Sequence, residues 1–383
     1  MKKTLLVGAL TGVFATMAHA QSSVTLYGLI DAGITYNSNV GGKTLWQLTN
    51  GAINTSRWGL RGSEDLGGGL KAIFTLENGF SIANGTLSQQ GREFGRQAFV
   101  GLTSDQFGSV TLGRQYDDVV QSLGPLSLTG TQSGGTFFAH PFDNDNLDNT
   151  FRVNNSVHYQ SLNYEGFRLG ATYGFSNSTS FSGNREYSVG ATYSYAGFNF
   201  AAAYMQLNSG FNSITTPNTN GVAGNISGAV TDAPFAAARQ RTWGAGLNYT
   251  FGPATAGFVF AQTQLSNVMG NNESFTAATI PLGSSLRFNN YEVNARYALT
   301  PALNLAAMYT YTDGRLNGSS PSWHTVGLLA DYYLSKRTDI YLQGEYQHVN
   351  NDSIPGLGAE INSFKPSSSP NQVVVTTGIR VRF

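Results

Sequence analysis

Apolar and polar residues alternate along most of this chain, in segments of about ten residues. In segment 167–175, the odd positions are Phe, Leu, Ala, Tyr and Phe, and the even positions are Arg, Gly, Thr and Gly. Segments 187–195, 243–251 and 291–299 repeat this alternation. Successive side chains of a strand point to opposite faces, so each segment predicts a strand with one apolar and one polar face.

The length and composition of the segments favour a transmembrane barrel over a soluble β-sandwich. Strands of soluble sheets are usually about 5–6 residues long, whereas a tilted strand needs about 9–11 residues to cross a bilayer. Aromatic residues such as Tyr193, Tyr195, Tyr249 and Phe251 end the apolar rows, as in the aromatic girdles of membrane barrels. The opposite face carries mainly Gly, Ser, Thr and Asn, whereas a sandwich would expose more charge.

Short and long connections alternate between the segments. Tight turns such as 64–69, 105–108 and 165–166 contrast with the long polar connections 116–151, 208–238, 266–287 and 350–370. We therefore predict an all-β, antiparallel up-and-down barrel of sixteen strands, or eighteen if a long loop contains another hairpin, with a water-filled lumen. The predicted strands are 23–37, 53–63, 70–80, 95–104, 108–116, 153–164, 167–176, 185–195, 198–207, 240–251, 255–265, 288–299, 302–312, 323–334, 338–349 and 372–383.

Residues 1–20 have the pattern of a secretory signal peptide. Lys2 and Lys3 precede an apolar stretch from Leu5 to Met17, and Ala18-His19-Ala20 is a small-x-small cleavage site. We predict cleavage after Ala20 and export, which leaves residues 21–383 as one barrel domain with no separate second domain. Loss of two Lys leaves twenty basic and twenty-two acidic residues, a formal charge of −2.

Composition excludes several other classes of protein. Charged residues are 11% of the chain, yet the mean hydropathy is only −0.17, as expected when lipid-facing and water-facing residues alternate. The absence of Cys excludes a disulfide scaffold and thiolate metal sites. Equal numbers of basic and acidic residues, 22 of each, and the lack of a basic run argue against a nucleic-acid partner.

Several motifs in this order resemble the general porins of β-proteobacteria, the neisserial type, and the resemblance covers the whole chain. The motifs are SVTLYG from Ser23, SRWGLRG from Ser56, GRQAFVGL from Gly95, GSVTLGRQ from Gly108, RVNNSV from Arg152 and YLSKRT from Tyr333. The resemblance implies a homotrimeric pore of the Gram-negative outer membrane that passes small hydrophilic solutes and ions. It also implies contacts with lipid and lipopolysaccharide and a third loop folded into the lumen, and no cofactor or metal is expected.

The last strand has a second mark of this family. Val373, Val375, Ile379 and Val381 share one face and lead to a terminal Phe383. A terminal Phe is similar to the assembly signature that the barrel assembly machinery recognises in outer-membrane proteins. Phe383 is equally explained as the last lipid-facing residue, and both interpretations are compatible.

Charged residues in strands are candidates for a pore constriction. Alternation places Arg57 and Glu77 on the inner face and gives Arg152 the parity of the polar side of its strand. Parity is ambiguous for Arg96, and there the resemblance implies a lumen position beside Arg57 and Arg152. The resemblance also implies opposing acids on the third loop. The candidates are Asp117, Asp118, Asp143, Asp145 and Asp148.

A transverse field between wall arginines and loop acids would orient polar solutes and bias ion passage. The three arginines predict a pore that prefers anions, although the net charge of −2 points weakly the other way. Two other classes remain as alternatives: a barrel hydrolase with a Ser, His and acid, and an adhesin that uses the long loops. The run from Asp143 to Asp148 offers oxygen ligands like those of calcium loops, but a solvated loop is the default interpretation.

Overall fold

The structure is a computed structural model that describes residues 23–177, 179, 181, 183–208, 235–271, 281–316, 318–351 and 358–383, so the predicted signal peptide lies outside it. Within these ranges the chain forms seventeen strands, and no helix is long and apolar enough to span a membrane. The strands are β1 (Ser23–Val40), β2 (Lys43–Asn50), β3 (Arg57–Gly67), β4 (Leu70–Gly79), β5 (Gln97–Ser104), β6 (Gly108–Gln115), β7 (Val153–Gln160), β8 (Phe167–Gly174), β9 (Arg185–Tyr195), β10 (Phe198–Asn208), β11 (Phe235–Phe251), β12 (Ala254–Asn271), β13 (Leu286–Ala298), β14 (Leu303–Leu316), β15 (Ser322–Tyr333), β16 (Thr338–Asn350) and β17 (Asn371–Arg382). Short helical turns cover Ser88–Gly91, Val119–Leu123, Gly124–Leu126, Thr136–Phe138 and Pro141–Asp143.

Strands β1 and β3–β17 close into a ring of sixteen antiparallel strands, which confirms the predicted barrel. The ring closes where β1 pairs with β17, with Leu29 opposite Arg382 and Asn37 opposite Val374. The other edge of strand β1 pairs with β3, and Ser23 lies opposite Ser63. Closure leaves the ring with no open edge.

The seventeenth strand, β2, was not expected. It pairs with the part of β1 from Ala32 to Val40, beyond the part that pairs with β3. Its segment is only eight residues long and lies in the predicted connection between the first two predicted strands, 23–37 and 53–63. The alternative of eighteen strands is not seen in the described part of the chain.

Turn geometry and side-chain alternation follow the predicted pattern. The tight turn between β3 and β4 places Gly67, Gly68 and Gly69 at φ of +85°, +61° and +78°, where glycine is favoured because it has no Cβ. On β15, Leu328 is 59% exposed on the outer surface, whereas its neighbour Leu329 is 4% exposed on the inner side.

The long connection 116–151, called loop 3 below, folds into the lumen and packs on the inner wall. Three buried apolar clusters join the loop to inward-facing residues of the barrel. In one of them, Val119 and Leu123 of the loop pack with Met205 of β10 and Val259 of β12. The expectation of a mainly polar inner face therefore fails on this side of the barrel, because the wall here contacts the loop and not water.

Glycines on the inner wall give loop 3 room to approach closely. A Cβ at Gly190 would lie 2.1 Å from the Ser122 Oγ of the loop, and a Cβ at Gly244 would lie 2.6 Å from a methyl carbon of Leu123. In sequence, these glycines are merely part of the alternating polar face. In the structure, they are the points at which the loop lies against the strands.

The C-terminal residue completes the seam of the ring. The backbone N–H of Phe383 donates to the Gly28 carbonyl at 3.0 Å, and the Gly28 N–H donates to the Phe383 carbonyl at 3.0 Å. The Phe383 ring lies over Gly28, where a Cβ would be 2.6 Å from the ring. The ring is still 45% exposed on the outer surface, so much of its area faces the surroundings.

Deletion of Phe383 is expected to lower the free energy of unfolding of the refolded barrel by only about 1–3 kcal/mol, because two backbone hydrogen bonds are lost. Denaturant titration of refolded protein in detergent measures this loss. Phe383→Ala, which keeps both hydrogen bonds, serves as the control and should lose less. A loss above about 5 kcal/mol for the deletion, larger than two such bonds supply, would contradict this interpretation of the seam.

Candidate functional site: a charged slit in the lumen

A cavity of about 360 Å³ lies between loop 3 and the inner wall formed by the first strands. This cavity, called the slit below, is mostly polar. Its charged and hydroxyl-bearing lining residues are Tyr27, Thr55, Arg57, Glu77, Arg96, Thr129, Thr131, Thr136, Asp148 and Arg382. Sequence-predicted residues from two wall strands and from loop 3 therefore meet in one place.

Arg96 and Glu77 form a buried ion pair in the slit. The Arg96 Nε donates to Glu77 Oε1 at 2.7 Å, and the other carboxylate oxygen accepts from the Tyr27 hydroxyl at 2.9 Å. Arg96 Nη2 also donates to the hydroxyl of Tyr116 at 2.7 Å. Arg96 immediately precedes β5 and is not part of its alternation, which explains why parity did not place it.

Arg57 and Arg152 extend this basic cluster. Arg57 is the first residue of β3, and its Nε donates to the Thr55 carbonyl at 3.1 Å. The guanidinium of Arg152 lies 5.3 Å from the centre of the Tyr116 ring, and its Nη2 donates to Asn149 Oδ1 at 2.8 Å. The charge of Arg57 interacts with the charges of both Arg96 and Arg152, so the three arginines form one positive region. Arg152 is not among the residues that line the slit, but its hydrogen-bond partner Asn149 is.

Asp148 is the loop acid that lines the slit. Its Oδ1 accepts from the Thr129 hydroxyl at 3.1 Å. Burial raises the pKa of Asp148 to about 6, against the hydrogen bond from Thr129 and the positive charges of Arg152 and Arg96. The carboxyl group is therefore mainly ionised at pH 7 and loses its charge as the pH falls through 6.

The other predicted loop acids have their main contacts elsewhere. Asp117 Oδ1 accepts from the Val119 N–H at 2.8 Å, and Asp118 Oδ2 accepts from the Thr172 hydroxyl of β8 at 2.8 Å. Asp143 Oδ1 accepts from the Asp148 N–H at 2.9 Å. These three carboxylates stabilise the conformation of loop 3 and its attachment to the barrel wall. None of the three residues lines the slit.

A buried histidine fastens loop 3 to the wall. His140 Nδ1 lies 2.5 Å from Asp145 Oδ2, and His140 Nε2 lies 3.0 Å from Glu292 Oε2 on β13. Burial alone would lower the pKa of His140, but the two carboxylates outweigh it and raise the pKa to about 10. The ring is therefore protonated at neutral pH and bridges two acids. The run from Asp143 to Asp148, expected to be solvated, is mostly buried because this bridge holds it against the barrel.

Sequence reasoning missed Arg380 and Arg382 on β17. Arg380 Nη2 lies 3.1 Å from Asp331, and Arg382 pairs with Asp339 and lines the slit. The apolar residues of β17 occupy odd positions and face outward, so the same parity argument applied to the even positions would have placed both arginines inside.

Comparison with known proteins agrees with this fold. The sequence model of the Gram-negative porin family matches residues 5–353. An outer membrane porin protein of Bordetella pertussis is 33% identical over 384 residues, which cover 90% of this chain and 94% of that protein. A major outer membrane protein P.IB of Neisseria gonorrhoeae is 34% identical over 207 residues, 52% of this chain and 55% of that protein.

Among solved structures, an anion-selective porin from Comamonas acidovorans aligns with a TM-score of 0.72 at 25% identity, covering 95% of this chain and 100% of that one. A closed sixteen-strand ring with a charged slit defines a membrane channel. The chain belongs to the Gram-negative porin family, and it is an outer membrane porin and not an enzyme. The resemblance to β-proteobacterial porins is confirmed.

Removal of one partner of the buried pair in the slit should destabilise the barrel. Arg96→Met is expected to cost about 3 kcal/mol of unfolding free energy, the lower end of the range for broken buried pairs, because Arg57 stays near Glu77. The double variant Arg96→Met with Glu77→Gln should recover part of this loss. Denaturant titration of both variants checks it, and a double variant at least as unstable as Arg96→Met alone would overturn it.

Proposed function

We propose that this porin forms a passive channel for small hydrophilic solutes and ions, and that the slit makes it prefer anions. The observation that carries the proposal is the convergence of Arg57, Arg96 and Arg152 at a passage narrowed by loop 3. Arginine suits this role because it stays charged when other cations crowd it. A narrow aqueous passage with charged walls favours ions of the opposite sign.

The charge of the slit supports an anion preference. Arg57, Arg96 and Arg382 line it against Glu77 and Asp148, which gives 3 − 2 = +1. Arg152, whose hydrogen-bond partner Asn149 lines the slit, adds a further positive charge. The mature net charge of −2 counts for less, because charges farther than about 8 Å from a passing ion are largely screened at physiological salt. The related Comamonas protein is described as anion-selective, which agrees with this assignment.

Removal of slit charge should reduce anion selectivity. The double variant Arg57→Ala with Arg152→Ala is expected to move the reversal potential in a salt gradient toward cations. The control is Arg287→Ala with Arg315→Ala, which removes two charges from exposed positions near the long loops and outside the slit. A cation-selective wild type, or a shift of the reversal potential of equal size in the control variant, would refute the proposal.

We further infer that the porin is a trimer, and that one sector of its outer wall contacts other copies. Membrane barrels carry aromatic side chains where the wall meets the lipid interface. Within the contiguous ring strands β17, β1 and β3–β6, the exposed large apolar side chains are all aliphatic, and the exposed aromatic residues nearby lie outside these strands: Trp46 on β2, Phe107 in the turn between β5 and β6, and Phe383 at the C-terminus. The aliphatic side chains are Val24, Leu26, Ile34, Leu66, Leu70, Val100, Leu102, Val110, Leu112, Val375, Ile379 and Val381.

Strands β8–β16 carry the aromatic residues instead. The exposed ones are Phe167, Tyr193, Tyr195, Phe198, Phe200, Trp243, Tyr249, Phe251, Phe258, Tyr291, Tyr297, Tyr309, Tyr332 and Tyr346. The sector whose strands carry only aliphatic exposed side chains is suited to contact with protein, because aliphatic side chains pack without a need for interfacial hydrogen bonds. The aromatic sector is suited to contact with lipid.

Bulky substitutions in the aliphatic sector should prevent association without preventing barrel formation. Leu26→Trp with Val100→Trp is expected to give monomers in detergent, because the rings prevent close packing. The matched control is Val293→Trp with Leu328→Trp in the aromatic sector, which should remain trimeric. Light scattering and native electrophoresis give the oligomeric state, and a trimeric Leu26/Val100 variant would refute the assignment of the sector.

We also propose that the barrel assembly machinery recognises the C-terminal strand through Phe383. The position of Phe383 at the seam supports this, because the two hydrogen bonds that it contributes are few compared with the nine residue pairs that join β1 and β17. Deletion of Phe383 should therefore reduce the amount of barrel in cell membranes more than the refolded stability would explain. Equal amounts of deleted and full-length barrel in cells would contradict this role.

A further inference from the structure

Residues 358–367 of the connection between β16 and β17, called the final loop segment below, turn into the lumen and pack on loop 3. Ala359, Ile361 and Phe364 are at most 6% exposed, although they belong to a long connection at the end of the barrel. The ring centres of Phe364 and of Phe137 in loop 3 lie 5.1 Å apart, and both rings belong to one buried cluster. Loop 3 therefore shares the lumen with a second inward segment.

Side chains of the inner wall hold the final loop segment in this position. The Ile361 N–H donates to Gln372 Oε1 of β17 at 2.7 Å, and the Glu360 N–H donates to Gln347 Oε1 of β16. Both glutamines are at most 1% exposed. The path of the segment is thus fixed by the barrel wall as well as by its packing on loop 3.

Asn362 of the final loop segment contacts loop 3 at two points. Its Nδ2 donates to the Thr136 carbonyl at 3.0 Å and to Asp148 Oδ2 at 3.3 Å. Asp148 lines the slit, and its other carboxylate oxygen accepts from the Thr129 hydroxyl. Asn362 itself is not among the residues that line the slit. Any effect of Asn362 on the passage is therefore exerted through the Asp148 carboxylate.

The amide of Asn362 favours the ionised form of Asp148 without adding a charge. The titratable and charged groups around this carboxylate are Arg57, Glu77 and Arg96 of the slit, Tyr116, Asp143 and Arg152 of loop 3 and the adjoining wall, and Glu360 and Lys365 of the final loop segment. Arg96 and Arg152 favour the ionised carboxylate, whereas the charge of Asp143 opposes it. A hydrogen bond donated to a carboxylate also favours ionisation. Because an amide is neutral, the negative charge in the slit remains uncancelled.

We propose that Asn362 is a positioning residue for ion selectivity, which holds the ionised Asp148 carboxylate at the slit and so limits the anion preference that the arginines create. The final loop segment is then a second selectivity element of the pore besides loop 3. This inference rests on the proposed function, since it concerns the selectivity of the same channel.

The test is the pH dependence of the reversal potential of the full-length barrel in planar bilayers under a salt gradient. In wild type, Asp148 loses its negative charge as the pH falls through about 6, so anion preference should rise there. Asn362→Leu removes the donor at similar size, which should raise the pKa of Asp148 and move this midpoint upward by about one pH unit. At pH 7, the variant should therefore prefer anions more strongly than wild type.

Three further variants separate this role from a purely structural one. Asp148→Asn should abolish the transition near pH 6, and addition of Asn362→Leu to it should not change the reversal potential further. Asn362→Gln keeps an amide donor and should return the midpoint part of the way to that of wild type. The matched control is Asn39→Leu, because Asn39 Nδ2 donates to Ser368 Oγ of the same connection at 3.3 Å but lies outside the slit. Its midpoint should equal that of wild type.

Three results would overturn the inference: an unchanged midpoint in folded Asn362→Leu barrel, an equal shift in Asn39→Leu, or a wild-type transition that persists in Asp148→Asn. Heat-modifiable migration shows whether the Leu variant has folded, and Asn362→Ala, which also lacks the donor, replaces it if it has not. Failure of the proposed anion preference would be distinguishable, because it would give a cation-selective wild type. The midpoint can be measured for either sign of selectivity.

Discussion

Side chains alone cannot fill a ring of sixteen strands, and the rest of this structure depends on how loop 3 occupies that space. The loop lies against β9–β13, where inner-wall residues such as Met205 and Val259 are apolar and Gly190 and Gly244 leave room for the loop. The protonated His140 between Asp145 and Glu292 adds an electrostatic attachment to this packing. Because the loop covers one side of the lumen, the slit lies on the opposite side, between the loop and Arg57, Arg96 and Glu77.

The outer wall is organised by what each sector contacts. Aliphatic side chains cover β17, β1 and β3–β6, and aromatic side chains cover the sector from β8 to β16. The inner wall divides in a similar way, since the slit is bordered by β1, β3 and β4, whereas the strands beneath the loop include β10, β12 and β13. In this arrangement, the wall beside the slit carries the aliphatic outer surface, whereas the wall beneath the loop carries the aromatic one.

The strand pattern could be predicted from sequence because alternation with a period of two is imposed by the backbone and does not depend on distant contacts. All sixteen ring strands were found in this way. The alternation does not predict β2, which is short, and it does not place Arg96, because Arg96 immediately precedes β5 and is not part of its alternation. It also could not rank the loop acids. Asp148 reaches the slit and Asp143 does not because loop 3 is positioned by long-range contacts such as His140 with Glu292, and spacing along the chain carries no information about these.

Arginine shows most clearly how position determines the role of a residue in this barrel. Arg96 is paired with the Glu77 carboxylate and donates to the Tyr116 hydroxyl, so it connects the wall to loop 3. Arg57 lines the same slit, but its Nε donates to a backbone carbonyl and not to a carboxylate. Arg241 and Arg287 lie on the outer face of the barrel, beyond the outward aromatic residues of their strands on the side of the long loops. Two questions therefore determine what an arginine does here: which face its position on the strand selects, and how far along the strand it lies from the aromatic rows. In a chain with only 11% charged residues, each such placement has a large effect on the local field, since few other charges are near enough to cancel it.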